Sequence, residues 1–67
     1  MPKFQISMAA ARVNAKKTQS DIAKEMHVSK QTIVNWETGK VSPKPAQFKM
    51  FCDLCAIPTD YVFLPII

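Results

Sequence analysis

Between Thr18 and Lys40 the apolar residues recur at helical spacing, not in alternation. Ile22, Ala23 and Met26 fall on one face. The period stops at His27-Val28, and Ile33, Trp36 and Glu37 then take up a second run that points one way. Thr18 and Ser29 stand just before the two runs, where a hydroxyl accepts an orphan backbone N–H. Gly39 supplies the left-handed residue that closes a helix, and Lys40 suits the negative helix end beside it. The pattern predicts two short helices joined by a tight turn over about residues 18–39, a helix-turn-helix arrangement.

The flanking segments read the same way. Ser7 is placed to cap a helix from Met8 to about Ala15, with Met8, Ala11, Arg12 and Ala15 on adjoining positions of one side. Val41 to Pro45 is a stiff connection, and Pro45 suits a first helical turn. Phe48, Phe51, Leu54 and Cys55 form the apolar face of a main core helix spanning about Pro45 to Cys55. Ala56-Ile57-Pro58 breaks that helix, and Thr59 is a cap for a last short one, about Asp60 to Phe63. No alternating apolar/polar run stands out between turn residues. The expectation is an all-α domain of five helices, with residues 1–67 forming one unit around one small core.

Composition narrows the function more than the fold. The chain has 67 residues and a formal net charge of +4, a modest basic excess. Residues 1–17 hold Lys3, Arg12, Lys16 and Lys17 without an acid, whereas Lys24, Lys30 and Lys40 balance Asp21, Glu25 and Glu37 in the helix pair. A nucleic-acid partner fits this basic character. Any reading of bases must then rest on neutral hydrogen bonding, with phosphate grip supplied from around the second helix. There is no apolar leader at the N-terminus and no run of membrane-spanning length, so the cytoplasm is the expected location.

With Ile33 and Trp36 inward, the outer flank of the second helix carries Lys30, Gln31, Thr32 and Asn35. Lysine, glutamine and asparagine own the donors and acceptors that read base edges. Gln19 opens the first helix, where its side chain and the free backbone N–H groups suit a phosphate. A plain solvated face explains the same polar residues, and the flank alone does not exclude it.

The combination resembles the phage repressor and Cro-type helix-turn-helix domains, the XRE family. The shared residues are Thr18-Gln19, Ile22-Ala23, Val28-Ser29, Thr32-Ile33 and Trp36-Glu37-Thr38-Gly39-Lys40. The segment ARVNAKKTQ and the ending YVFLP, Tyr61 to Pro65, extend the resemblance over nearly the whole chain. One departure falls at the turn, where the family usually has glycine and this chain has His27. Histidine is among the side chains that tolerate a left-handed backbone.

The resemblance implies a lambda-repressor-like fold and a transcriptional regulator bound to double-stranded operator DNA. It implies base contacts from Lys30, Gln31 and Asn35, with Thr32 and Val34 flanking. Thr18, Gln19, Thr38 and Lys40 fall among the expected phosphate contacts, and Lys44 adds another. It also implies that Arg12 pairs with Glu37, tying the first helix to the end of the third. A single domain reads few base pairs, so a homodimer on a palindromic operator is expected. The apolar tail, Tyr61 to Ile67, is the expected dimer contact, since exposed apolar patches mark association surfaces.

Two features invite other chemistry. Cys52-Asp53-Leu54-Cys55 is formally C-x-x-C, but it lies late in an apolar helix with no strand before it, so packing is the expected role. His27 has no second histidine to share a metal with. No nucleophile–base pair, paired acids or phosphate loop marks an enzyme. No metal, cofactor or small-molecule ligand is called for. The rival is a protein-binding helical module, an antitoxin or adaptor, on the same fold.

Overall fold

The computed structural model describes residues 4–64. Four α-helices carry the fold: α1 Met8–Asn14, α2 Gln19–Met26, α3 Lys30–Thr38 and α4 Pro45–Leu54. Each start has a local cause. The hydroxyls of Ser7, Thr18 and Ser29 accept the N–H of Ala10, Asp21 and Thr32 at 3.0, 3.0 and 3.2 Å. Thr18 forms a complete capping box, because Asp21 Oδ2 accepts the Thr18 N–H at 2.8 Å. Pro45 occupies the first turn of α4, and Gln47 Oε1 accepts the Lys44 N–H at 2.9 Å.

The helix ends share one device. Lys16, His27 and Ala56 all take positive φ, at 59°, 58° and 56°. In each case the next N–H reaches back five residues: Lys17 to Arg12 O, Val28 to Ala23 O and Ile57 to Cys52 O, at 3.2, 2.9 and 3.0 Å. These are Schellman closures, which satisfy carbonyls the helix leaves free. Glycine fills the left-handed position only after α3, where Gly39 has φ 83°.

The five-helix expectation needs correction. The last element is a three-residue 3-10 turn, Thr59–Tyr61, closed by the Tyr61 N–H on Pro58 O at 3.0 Å. Thr59 is inside this turn and does not cap a helix. Val62–Phe63 is extended (β2) and pairs in parallel with Ile6–Ser7 (β1), Ile6 opposite Val62. The domain is therefore helical with a two-residue strand pairing that ties its two ends together. Val62 is buried at 3% exposure in this arrangement, and Gln5 Nε2 donates to Asp60 O nearby at 3.0 Å.

One core joins Met8 and Ala11 of α1, Ile22, Ala23 and Met26 of α2, Ile33 and Trp36 of α3, Phe51, Cys52 and Cys55 at α4, and Val62. Phe48 and Leu54 pack against its edge. The helix face of α4 is thus rotated from the expected one: Cys52 is fully buried in addition to Phe51 and Cys55. The core fixes α3 by one flank and leaves its other flank outside.

Candidate nucleic-acid interface

α3 is anchored through Ile33, fully buried, and Trp36, at 2% exposure. Lys30 and Gln31 project from its first turn and are exposed; Thr32 and Asn35 are half-buried. Ser29 and Thr32 share a hydroxyl–hydroxyl hydrogen bond of 2.9 Å, so Thr32 also serves the helix start. Gln31 Nε2 donates to Asn35 Oδ1 at 3.0 Å, one turn along. The two amides therefore lie side by side on the outer flank, as i, i+4 spacing requires.

Lys30 lies where three elements converge. A groove of about 370 Å³ is lined by Arg12 and Lys16–Lys17 at the end of α1, Thr18, Gln19 and Ser20 at the start of α2, and Lys30. Lys16, Lys17 and Lys30 beside a helix N-terminus make this groove attractive to an anion, while the Arg12 charge is taken up by Glu37. Lys17 is partly committed, since its Nζ lies 3.1 Å from Glu25 Oε1. From the sequence, Lys16 and Lys17 lie near the expected backbone-contacting edge, with solubilising charge an equal reading; Ser20 carries no such signal and joins the groove only in the fold.

At the other end of α3, Thr38 Oγ1 donates to Val34 O at 2.9 Å, so its one hydrogen must turn away from that carbonyl to reach a phosphate. Lys40 and Lys44 are exposed beyond the helix. Lys30 and Thr38 are separated by eight residues of α3, roughly 12 Å at helical rise. The polar side chains thus form a central group, Gln31, Thr32 and Asn35, flanked by separate groups at each end.

Behind this flank lies a dense polar network. Arg12 Nε donates to Glu37 Oε2 at 2.7 Å and Arg12 Nη2 to Glu37 Oε1 at 3.2 Å. The remaining Arg12 Nη1 donates to Lys17 O at 3.0 Å. The two charged side chains are 13% and 5% exposed. Gln19 Nε2 also donates to Glu37 Oε1, at 3.1 Å. The Gln19 amide is therefore tied to α3 at the edge of the groove, a link between helices that no local pattern displays.

The other candidate groups have structural surroundings. Thr18 Oγ1 is occupied by its capping bond, and the same box holds the Asp21 carboxyl below its ordinary value, chiefly through the Thr18 backbone N–H. His27 is the left-handed residue closing α2. Both cysteines are free and buried. Burial pushes the Cys52 thiol up to about 11, with the neighbouring Cys55 and Asp53 adding to the effect. Burial raises the Cys55 thiol too. Thiols so shifted are protonated at neutral pH and poor nucleophiles. Among the described residues, no group of three His, Cys, Asp or Glu side chains could hold a metal ion. None of the described helices is long and apolar enough to cross a membrane.

A helix-turn-helix whose second helix is clamped by one flank and polar on the other defines a DNA-binding domain class. Residues 8–62 match the helix-turn-helix family model, and the chain belongs to that family, of XRE/Cro/C1 type. This is a family of DNA-binding regulatory domains, not of enzymes. No curated protein and no solved structure matches the chain.

Proposed function

We propose that this chain is a cytoplasmic, sequence-specific transcriptional regulator of repressor or Cro type, acting as one domain that lays α3 in the major groove. The observation that carries the reading is the two-sided character of α3: Ile33 and Trp36 are buried, while Lys30 and Gln31 stand exposed beside Thr32 and Asn35. Lys30 reaches guanine acceptors, and Gln31 and Asn35 bond base edges. Thr18, Gln19, Thr38, Lys40 and Lys44 set the register against phosphates, which position a protein without specifying sequence. At Gln19 one amide hydrogen serves Glu37, and the second faces a phosphate.

The reading includes a homodimer on a palindromic operator. Tyr61 and Phe63, 48% and 42% exposed, supply apolar surface for the contact. Of the rest of the tail, Val62 is buried in this chain's own core and Leu64 packs against it, while residues 65–67 lie outside the described residues. Occupying a promoter against polymerase is the regulatory step.

Selection of bound sites from random duplexes, followed by a salt series on the winner, tests this reading. An inverted repeat is expected, with half-site centres one or more helical turns (about 10–10.5 base pairs each) apart. Affinity for it should fall steeply with salt. Failure to enrich any sequence, or an affinity indifferent to salt, contradicts the proposal.

A further inference from the structure

Gln31 and Asn35 are the two outward amides of α3, and they are bonded to each other. We infer that they read DNA as one unit: Asn35 holds the Gln31 amide in a fixed orientation, and the unit so formed selects adenine at the position Gln31 faces. The inference rests on the proposed DNA reading and goes beyond it by assigning one base and a division of labour.

A carboxamide carries one oxygen with two lone pairs and one nitrogen with two hydrogens. The bond from Gln31 Nε2 to Asn35 Oδ1, 3.0 Å, consumes one Gln31 hydrogen and one Asn35 lone pair. Gln31 keeps its whole oxygen and one N–H. Adenine offers N7 as acceptor and the N6 amino group as donor in the major groove, the complement of that remaining pair. A glutamine uses the hydrogen on the same side as its oxygen for such a two-bond contact. The other hydrogen is then free to point away, back toward the helix, where Asn35 lies. The internal bond and the adenine contact are compatible for this reason.

Gln31 is exposed and stands at the second position of α3, with three rotatable bonds before its amide. Unrestrained, the amide can turn its NH2 group end-on and offer guanine two donors instead. Asn35 is half-buried, and its side chain is shorter. With Asn35 as the acceptor, the Gln31 nitrogen is turned toward the helix and its oxygen outward. The free N–H groups of Asn35 are left as donors for a neighbouring base. Restraint before binding lowers the ordering cost at the interface. Asn35 is thus a positioning residue for the Gln31 contact in addition to any contact of its own.

Site selection from random duplexes should be run in parallel on the full chain and on Gln31→Ala, Asn35→Ala and Asn35→Asp, with helical content of each checked by circular dichroism. An aspartate cannot donate, but its carboxylate still accepts the Gln31 hydrogen. The parent should prefer adenine at one half-site position, and Gln31→Ala should erase that preference. Asn35→Ala should weaken it by about twofold, the scale of an exposed i, i+4 side-chain pair, and leave the rest of the preference in place. Asn35→Asp should bind all duplexes more weakly, through phosphate repulsion, yet retain the adenine preference. An adenine preference unchanged in Asn35→Ala overturns the coupling and leaves Gln31 reading alone. Guanine at the Gln31-dependent position overturns the assigned amide orientation. The same weakening of the preference in Asn35→Asp as in Asn35→Ala also overturns it, because the acceptor is then not what matters. A parent chain that enriches nothing brings down the DNA reading itself, and this inference with it.

Discussion

Glu37 and Gln31 belong to the same nine-residue helix, yet their polar groups meet opposite fates. The Glu37 carboxylate is 5% exposed and receives three donated hydrogen bonds, two from Arg12 and one from Gln19. The Gln31 amide is exposed and makes one bond within its own helix, leaving an oxygen and a hydrogen unspent. A buried polar group must be satisfied inside the fold, because an unpaired one costs free energy. An exposed group with unused donors and acceptors can satisfy them on a ligand instead. One flank of α3 therefore holds the helix in place, and the other is left open to a partner.

The sharpest way to break this comparison is at the buried flank. Arg12→Met strands the Glu37 charge and is expected to cost about 3–5 kcal/mol of stability in denaturant melts. Arg12→Met combined with Glu37→Leu should recover most of that loss, since the double variant strands nothing. Simple additivity of the two single changes would show that the pair is not coupled. On the open flank, Gln31→Ala should leave the melt within about 0.5 kcal/mol of the parent, as exposed substitutions do. The same change should cost roughly 1–3 kcal/mol in discrimination at the base it contacts, measured by operator titration.

Smaller effects separate cap chemistry from both flanks. Thr18→Ala removes the N-cap acceptor of α2 and should cost about 1 kcal/mol of stability. Ala56→Gly places glycine where φ is 56°, and a net gain of up to about 1 kcal/mol is expected: relief of roughly 1–2 kcal/mol of left-handed strain, less about 0.4–1 kcal/mol for the added freedom of the unfolded chain. The smallest effect is at Asp21, whose folded carboxyl is held below the ordinary 3.8 by its capping bonds. Its contribution is fully present above that ordinary value. It fades as pH falls through the depressed folded one, because the unfolded chain then binds its proton first. Acid melts of Asp21→Asn should lack that part of the slope.

What the amino-acid pattern reveals follows from how local each cause is. Ser7, Thr18, Ser29 and Gly39 act within three residues of themselves, so the starts of α1 to α3 and the close of α3 are legible from the residues. Ile22, Ala23, Met26, Ile33 and Trp36 carry the helical period and form part of the buried core. The last segment reads differently because its cause is remote. Val62–Phe63 is drawn out by pairing with Ile6–Ser7, more than fifty residues away, and Thr59 looks like a cap only when that partner is ignored.

The candidate site divides along the same line. That Lys30, Gln31 and Asn35 share an outward flank follows from the period and the inward pull of Ile33 and Trp36. The tie from Gln19 to Glu37 and the groove joining Lys16, Lys17 and Lys30 depend on how three helices meet. No spacing within one helix encodes them. The Gln31–Asn35 bond is an intermediate case: i, i+4 spacing allows it, but the choice of donor and acceptor appears only with the side chains in place.

The central claim is that the flank of α3 opposite Ile33 and Trp36 is the surface that meets DNA. Its most direct test is an amide and side-chain NMR titration of the full chain with the duplex obtained by selection. The account predicts the largest shifts at Lys30, Gln31, Thr32 and Asn35, with a second set at Thr18, Gln19 and Lys40. Shifts confined to α4 and the Tyr61–Phe63 surface, with the side-chain amides of Gln31 and Asn35 unmoved at saturation, would contradict it.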